Sequence, residues 1–246
     1  MEGYKFEILT DSSFEILVSL YKKAFGKEIS SFELAKKYDT SEICSIKNIG
    51  YLAFNKKGEA IGFYGLLPCY SSNGVERVLV AQSADTMVDP DLERNKVFLE
   101  LAERTHEFCK KNGIKAIYGF PNIFSFPMFI KKIGWTHIHN IEAYHNKVRC
   151  LPFLKVVKFF KLKSDFFESY QVKIIQSISN KTKKIDSILC VDSGYSIEKS
   201  SEFIEYKSNY NSVKYFINLN GIDLWVKLSP MFLQVGDLSF CSESDF

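Results

Sequence analysis

The sequence predicts a mixed α/β (α+β) fold: a mostly antiparallel sheet flanked by helices, followed by a smaller, strand-rich second lobe. Three observations support this fold class. Residues 50–88 read as three antiparallel strands, with turn residues at 55–58 and 71–74. Residues 78–135 then read as strand, amphipathic helix, strand and helix, a spacing that suits a right-handed parallel crossover. Near the C-terminus a second meander is predicted over 213–240.

The first elements follow from alternation and from helix signals. Residues 4–10 alternate well enough for a strand. Asp11 or Ser12 then caps a helix that ends at Gly26. The apolar face of this helix consists of Phe14, Leu17, Leu20, Tyr21 and Phe25. A second, short helix is predicted over 31–38.

The crossover begins with the strand over 78–88, which is followed by Pro90 and a cluster of charged residues. The helix after it repeats apolar groups at helical spacing, at Val97, Leu101, Thr105 and Phe108. Asn112-Gly113 is typical of a left-handed C-terminal cap. A strand over 114–120 then ends in Pro121-Asn122.

Composition limits the function classes. Hydrophobic residues at 46% and charged residues at 25% of 246 are typical of a soluble globular protein. A net charge of +3, scattered along the chain, does not favour a nucleic-acid partner. Six widely spaced cysteines favour reduced, buried thiols in the cytoplasm over a zinc site or a disulfide framework. The N-terminus lacks the features of a signal peptide, and no stretch is long and apolar enough to predict a transmembrane segment.

Five pieces of the first lobe carry a family resemblance. They are Val88-Asp89-Pro90, the basic turn Arg94-Asn95-Lys96, the helix to Gly113, Gly119-Phe120-Pro121-Asn122, and the run from Phe129 to Trp135. With them the chain resembles the GNAT superfamily of acyl-CoA-dependent N-acyltransferases. The resemblance implies acetyl-CoA or another acyl-CoA as co-substrate and a small-molecule amine as acceptor. It is compatible with an oligomer.

The resemblance also implies the cofactor contacts. The backbone of Met87 and Val88 would meet the pantetheine arm, and Asn122 would approach the arm from the next strand. The run that would wrap the pyrophosphate consists of Arg94, Asn95, Lys96, Val97 and Phe98. This run lacks the glycines of the family pattern Arg/Gln-x-x-Gly-x-Gly/Ala, which let backbone N–H groups approach the phosphates.

Asp85 is the predicted general base, because it lies on the long fourth strand just before the segment where the strands should separate. Gln82 and Ser83 would orient the substrate. The alternative interpretation is structural: Asp85 caps a turn or pairs with a nearby lysine.

A general acid must protonate the departing thiolate. By resemblance, a tyrosine commonly serves, but its position here is Ile130. We name Tyr118 as the candidate acid, with Tyr70 and Tyr144 as unranked alternatives.

The chain contains four histidines. His137, His139 and His145 share a predicted strand face, so a metal pair is geometrically allowed, but ordinary surface histidines are favoured and we predict no metal. His106 lies on the predicted helix and is expected to face solvent.

The predicted domains are a GNAT-like acyltransferase domain at 1–148, and a linker helix with a truncated second GNAT-like lobe at 149–246. The helix over 151–163 is predicted to pack between the lobes, with a membrane-surface role as the alternative. Strands over 171–177 and 187–191 and a helix over 199–206 precede the meander.

Three functions remain open. The first is an N-acyltransferase acting on a small amine such as an amino sugar or an amino acid. The second is an aminoacyl- or peptidyl-transferase of the two-lobed GNAT-like kind, and the third is a non-catalytic binding protein of the same fold.

Overall fold

The structure is a computed structural model that describes residues 3–90, 92, 94–141, 173, 177, 194–209, 214–219, 222–229 and 232–239. The chain divides into two units. The first comprises Met1–Thr136 with Cys190–Tyr206, and the second comprises His137–Leu189 with Lys207–Phe246. The domain border predicted after residue 148 lies outside the described residues.

The first unit contains a sheet in which β1 to β5 lie side by side in chain order. Neighbouring strands are antiparallel except β5, which runs parallel to β4, and a sixth strand pairs antiparallel with the far end of β3. The strands are β1 Lys5–Ile8, β2 Ile49–Phe54, β3 Ala60–Ser72, β4 Arg77–Val88, β5 Ala116–Tyr118 and β6 Ser196–Ile197. The mixed, mostly antiparallel sheet predicted from the sequence is confirmed.

Helices lie before, between and after these strands. They are α1 Phe14–Phe25, α2 Ser31–Tyr38, α3 Ser41–Cys44, α4 Arg94–Lys111, α5 Phe126–Met128 and α6 Ser201–Asn209. A 3-10 turn over Asp11–Ser13 leads into α1, and a π-helical turn over Phe129–Ile133 continues α5. Among the described residues no helix is long and apolar enough to cross a bilayer.

The ends of α1 and α2 follow from their capping residues. Gly26 closes α1 with a φ of 65°, a left-handed conformation that glycine adopts without steric cost, and its N–H donates to the Lys22 carbonyl at 2.9 Å. Ser30 opens α2 through a capping box: its Oγ accepts from the Glu33 N–H, and its own N–H donates to the Glu33 carboxylate. Both helices were predicted from the sequence.

The sheet separates two packed layers. Successive strand residues point to opposite faces, so the side chains of Phe63 and Tyr64 of β3 lie in different layers. Phe63 packs edge-on against Tyr38 of α2, and Tyr64 packs edge-on against Phe98 of α4. We call these the α2 face and the α4 face. Residues of β4 can be assigned to a face through their partners on β3.

The second unit contains a three-stranded antiparallel sheet with Ile217 and Val226 buried. Its strands are β7 Lys214–Leu219, β8 Ile222–Ser229 and β9 Phe232–Ser239. This meander was predicted.

The strand predicted over 171–177 is wrong, because the two residues described there, Lys173 and Ser177, are helical. The segments at 151–163 and 187–191 lie outside the described residues.

Candidate active site

One edge of β4 has a strand partner over only part of its length. β5 pairs with β4 at Val80–Gln82 alone, whereas β3 follows the other edge of β4 as far as Val88. In the part of the chain that the structure describes, the β5 side of β4 from Ser83 to Val88 therefore faces no strand. We call this stretch, with Met87 and Val88 at its far end, the open edge.

A β-bulge lies within the open edge. Leu66 pairs with Ser83, and Tyr64 pairs with Thr86, so two steps along β3 match three steps along β4. The extra residue increases the local twist and re-aims the side chains around it. Asp85 lies inside this bulge.

The α4 helix begins shortly after the open edge ends. The N–H groups of its first turn, Arg94 to Val97, have no partner within the helix, and the helix dipole makes this end favourable for an anion. The Lys96 side chain is exposed there, whereas Val97 and Phe98 are buried in the core. The side chains of Arg94 and Asn95 lie outside the described part of the structure.

Asn122 follows β5 on the other side of the opening. Its Oδ1 accepts from the backbone N–H of Phe124 and Ser125, at 3.0 and 2.9 Å. The side chain thereby closes its own turn. Gly119 precedes it at a close approach: a Cβ there would lie 3.0 Å from the Ser83 Cβ and from the Trp135 ring.

Asp85 is the centre of a nearly buried polar cluster. Lys37 of α2 donates to both of its carboxylate oxygens at 2.8 Å, and the Tyr38 hydroxyl donates to Oδ2 at 3.0 Å. The Lys37 and Asp85 side chains are only 13% and 12% exposed. The lysine pairing that the sequence allowed for Asp85 is thus present, and Lys37 is the lysine.

Tyr38 is completely buried, and a glycine makes its position possible. A Cβ on Gly65 would lie 2.3 Å from the Tyr38 hydroxyl. Burial, and then the negative charge of Asp85, raise the pKa of Tyr38 well above its ordinary value. Tyr38 therefore stays protonated and acts as a hydrogen-bond donor to the carboxylate.

Tyr118, the candidate acid, ends β5 and pairs with Gln82. Its hydroxyl lies 3.6 Å from the Cys69 Sγ. Strand alternation and register assign Gln82 and Tyr118 to the α2 face, and Ser83 to the α4 face. Asp85 lies on the α2 face because its carboxylate contacts Lys37 and Tyr38 of α2. The candidate catalytic residues Asp85 and Tyr118 thus lie on the same face of the sheet as Gln82, and Ser83 lies on the opposite face.

His106 does not face solvent, so that expectation is wrong. Its ring packs 5.9 Å from the Tyr64 ring and stacks 6.4 Å from the Trp135 ring, and its Nε2 is buried without a hydrogen-bond partner. Burial lowers its pKa. A cavity of about 530 Å³ lies beside it, lined also by Cys109 and the start of β5.

Other polar groups have structural partners. The described cysteines Cys44, Cys69 and Cys109 are buried, as predicted, and form no disulfide. His137 lies 3.0 Å from the Asn140 Oδ1, and no group of three potential metal ligands occurs among the described residues.

Sequence analysis missed Lys37 and Tyr38 as site residues. Each was interpreted only as the end of a short helix. Forty-eight positions separate Lys37 from Asp85, and no local pattern connects them. Only the packing of α2 on the sheet reveals the pair.

Comparison with known proteins points to one family. The profile of the acetyltransferase (GNAT) domain matches residues 5–138, more than half of the chain. No curated protein matches the sequence significantly.

Several solved acetyltransferase structures align with part of this chain. An acetyltransferase of Trypanosoma brucei aligns at 16% identity with a TM-score of 0.46, covering 58% of this chain and 99% of its own. Glucosamine-6-phosphate N-acetyltransferase of Arabidopsis thaliana aligns at 14% identity with a TM-score of 0.45, covering 59% and 100%. A GNAT family N-acetyltransferase of Escherichia coli, solved with CoA, aligns at 16% identity with a TM-score of 0.42, covering 55% and 69%.

Proposed function

Because the chain belongs to the GNAT acetyltransferase family, we propose that it transfers an acyl group from acyl-CoA to an amine of a small molecule. The first acyl group to test is acetyl, and the acceptor is a molecule such as an amino sugar or an amino acid. The observation that carries the proposal is the open edge of β4 with the Asp85 carboxylate in its bulge. Unpaired backbone groups at a strand edge can bind an extended, amide-bearing arm, as a further strand would.

The donor would lie along the open edge. In this proposal the pantetheine amides pair with the backbone of Met87 and Val88, and Asn122 approaches from the β5 side. The pyrophosphate lies at the first turn of α4, where the backbone N–H groups of Arg94 to Val97 and the exposed Lys96 provide donors and positive charge. Phe98 would contribute by fixing this turn to the core, since its side chain is buried.

The chemistry is an acyl transfer. The acceptor amine loses a proton to Asp85, and its nitrogen forms a bond to the thioester carbonyl carbon. The carbon–sulfur bond then breaks, and the CoA thiolate leaves and takes a proton, for which Tyr118 is our candidate donor. Asp85 can accept that proton only after Lys37 has released at least one of its oxygens.

Donor binding is tested by titration calorimetry with acetyl-CoA. Lys96→Gln should weaken binding severalfold, and the effect should shrink at high salt because the contact is electrostatic. Lys111→Gln, at the opposite end of the same helix, serves as the control and should leave binding unchanged. No binding of any acyl-CoA to the unmodified chain would reject the proposal.

Turnover is tested by mass spectrometry of amine mixtures incubated with acetyl-CoA and the protein. Asp85→Asn keeps the size of the side chain and should reduce kcat at least about a hundredfold while acetyl-CoA still binds. Asp11→Asn, at an exposed carboxylate, is the control. Acylation from aminoacyl-tRNA but not from acyl-CoA would favour the two-lobed transferase. Binding of acetyl-CoA without acylation of any amine would favour a non-catalytic protein.

A further inference from the structure

We propose that the acceptor is a small zwitterion, in which a primary amine and an anionic oxygen group lie only a few bonds apart. This inference rests on the proposed function and narrows its acceptor. It is carried by the nearly buried ion pair of Lys37 with Asp85, on the α2 face beside the open edge. An acceptor amine that reaches Asp85 must take the place that Lys37 occupies.

The pair leaves the carboxylate little free capacity. Lys37 Nζ lies 2.8 Å from each oxygen of Asp85, and the Tyr38 hydroxyl lies 3.0 Å from Oδ2. A bidentate ammonium and a neutral donor together satisfy most of the acceptor positions of a carboxylate. The Lys37 ammonium is therefore a stand-in, supplied by the chain itself, for the cationic group that Asp85 would bind in a substrate.

Neighbouring elements contact both members of the pair. Tyr206 of α6 donates to the backbone carbonyl of Lys37, which fixes its backbone and not its ammonium. Tyr21 of α1 is close enough that Asp85, after burial, contributes to raising its pKa, with a smaller contribution from Glu33. The proposal requires Lys37 to withdraw along its flexible stem while Asp85 remains held by Tyr38.

The electrostatic cost of separating the pair selects the acceptor. A molecule that carries only a cation would satisfy Asp85 but leave the Lys37 ammonium without its counter-charge. A molecule that carries only an anion would satisfy Lys37 and leave Asp85 unpaired. Removing one partner from a buried ion pair is strongly unfavourable, whereas a zwitterion replaces both partners and keeps the local charge at zero.

The contact geometry also limits the size of the acceptor. The two charged groups of the protein start in direct contact, so the inserted amine and anion must themselves be close together. An α-amino acid meets this condition with a carboxylate, and an aminomethylphosphonate meets it with a phosphonate. Both present the same chemistry, an ammonium toward Asp85 and an anion toward Lys37.

The test compares acceptors matched in skeleton. The twenty amino acids, their amides, their decarboxylated amines and aminomethylphosphonate are each offered with acetyl-CoA, and acylated products are measured by mass spectrometry. For at least one skeleton, kcat/KM for the zwitterion should exceed that for its amide by about tenfold or more. Comparison of the carboxylate with the phosphonate shows which anion Lys37 accepts.

Variants at Lys37 separate recognition from a merely structural role. Lys37→Gln should invert the preference, so that amides and simple amines become the better acceptors, and Lys37→Arg should restore the preference for zwitterions. Lys36→Gln alters the preceding lysine, which lies over the Phe32 ring, and should leave the ratio unchanged. A structural role alone would lower all acceptors equally and leave the ratio as it was.

A binding measurement tests the inference even if no acyl transfer is detected. Protein saturated with CoA is titrated calorimetrically with each amino acid and with its amide. Preferential binding of zwitterions without turnover would sustain the inference and remove the proposed function. Where acyl transfer occurs, equal kcat/KM for amides and zwitterions would overturn the inference. Where nothing is acylated, it would be overturned if zwitterions bind no better than their amides or do not bind at all.

Discussion

Gly65→Ala tests whether the Tyr38–Asp85 contact depends on a missing side chain. A Cβ at Gly65 would lie 2.3 Å from the Tyr38 hydroxyl and 2.6 Å from the Phe63 ring. Since non-bonded heavy atoms prefer separations of about 3.5 Å, Tyr38 must retreat by about 1 Å or the strand must shift. A retreat of that size breaks the 3.0 Å hydrogen bond to Asp85.

The magnitude follows from two effects. Overpacking of a core costs about 1–3 kcal/mol. A lost hydrogen bond to a charged group costs about 1.5–3 kcal/mol. Because the two relax together, we expect the free energy of unfolding to fall by about 3 kcal/mol, or roughly 6–12 °C in Tm. Urea unfolding followed by circular dichroism measures it.

A matched control and a double variant complete the experiment. Gly194→Ala places a Cβ in open space and should be nearly neutral. In Gly65→Ala/Tyr38→Phe the nearest clashing atom is gone, so the double variant should lose at least about 1 kcal/mol less than the sum of the single variants. Strict additivity, or a Gly65→Ala protein as stable as Gly194→Ala, would refute the reasoning.

Three further predictions concern the first unit. Burial lowers the pKa of His106 below its ordinary 6.5, so the unfolded chain binds the proton more readily than the folded one. The free energy of unfolding should therefore fall as the pH drops through about 6.5. His106→Phe should remove this contribution to the pH dependence, measured by urea unfolding between pH 5 and 7.5. Leu101→Ala, at a fully buried position, should cost about 2–5 kcal/mol of unfolding free energy, whereas Ile16→Ala, at a half-exposed position, should cost less than half as much. Arg77→Met removes the 2.8 Å contact to Glu198 and the cation–π contact over Tyr70; hydrogen exchange should accelerate at Ser196–Ile197, with a stability loss of only about 1 kcal/mol. Uniform exchange across the sheet in Arg77→Met would contradict the last prediction.

Most elements of the first unit could be predicted because their start and end signals lie within a few residues of one another in the sequence. The helix over Ser31–Tyr38 has its capping box within four residues, and α1 ends at a glycine that adopts the left-handed conformation. The parallel placement of β5 followed from the length of the crossover. Such features depend on neighbours in sequence, which a single chain reveals.

Long-range features were beyond the sequence. β6 pairs with Ser71 and Ser72 from more than a hundred residues away, and two serines in a strand carry no register signal. α3 was missed because four residues give too short a periodic pattern. His106 was misplaced because polar residues usually mark the solvent face, while here aromatic rings surround the imidazole.

The glycine-free first turn of α4 is compatible with an anion site for a packing reason. Val97 stands where the family pattern has its first glycine, and its side chain points into the core against Gly62, where a Cβ would approach it to 2.9 Å. Close contact between helix and sheet is thus achieved by a glycine on the strand. Because Val97 directs its Cβ away from solvent, that Cβ does not lie between a phosphate and the first-turn N–H groups. A valine at this position is therefore compatible with the pyrophosphate site proposed at the first turn of α4.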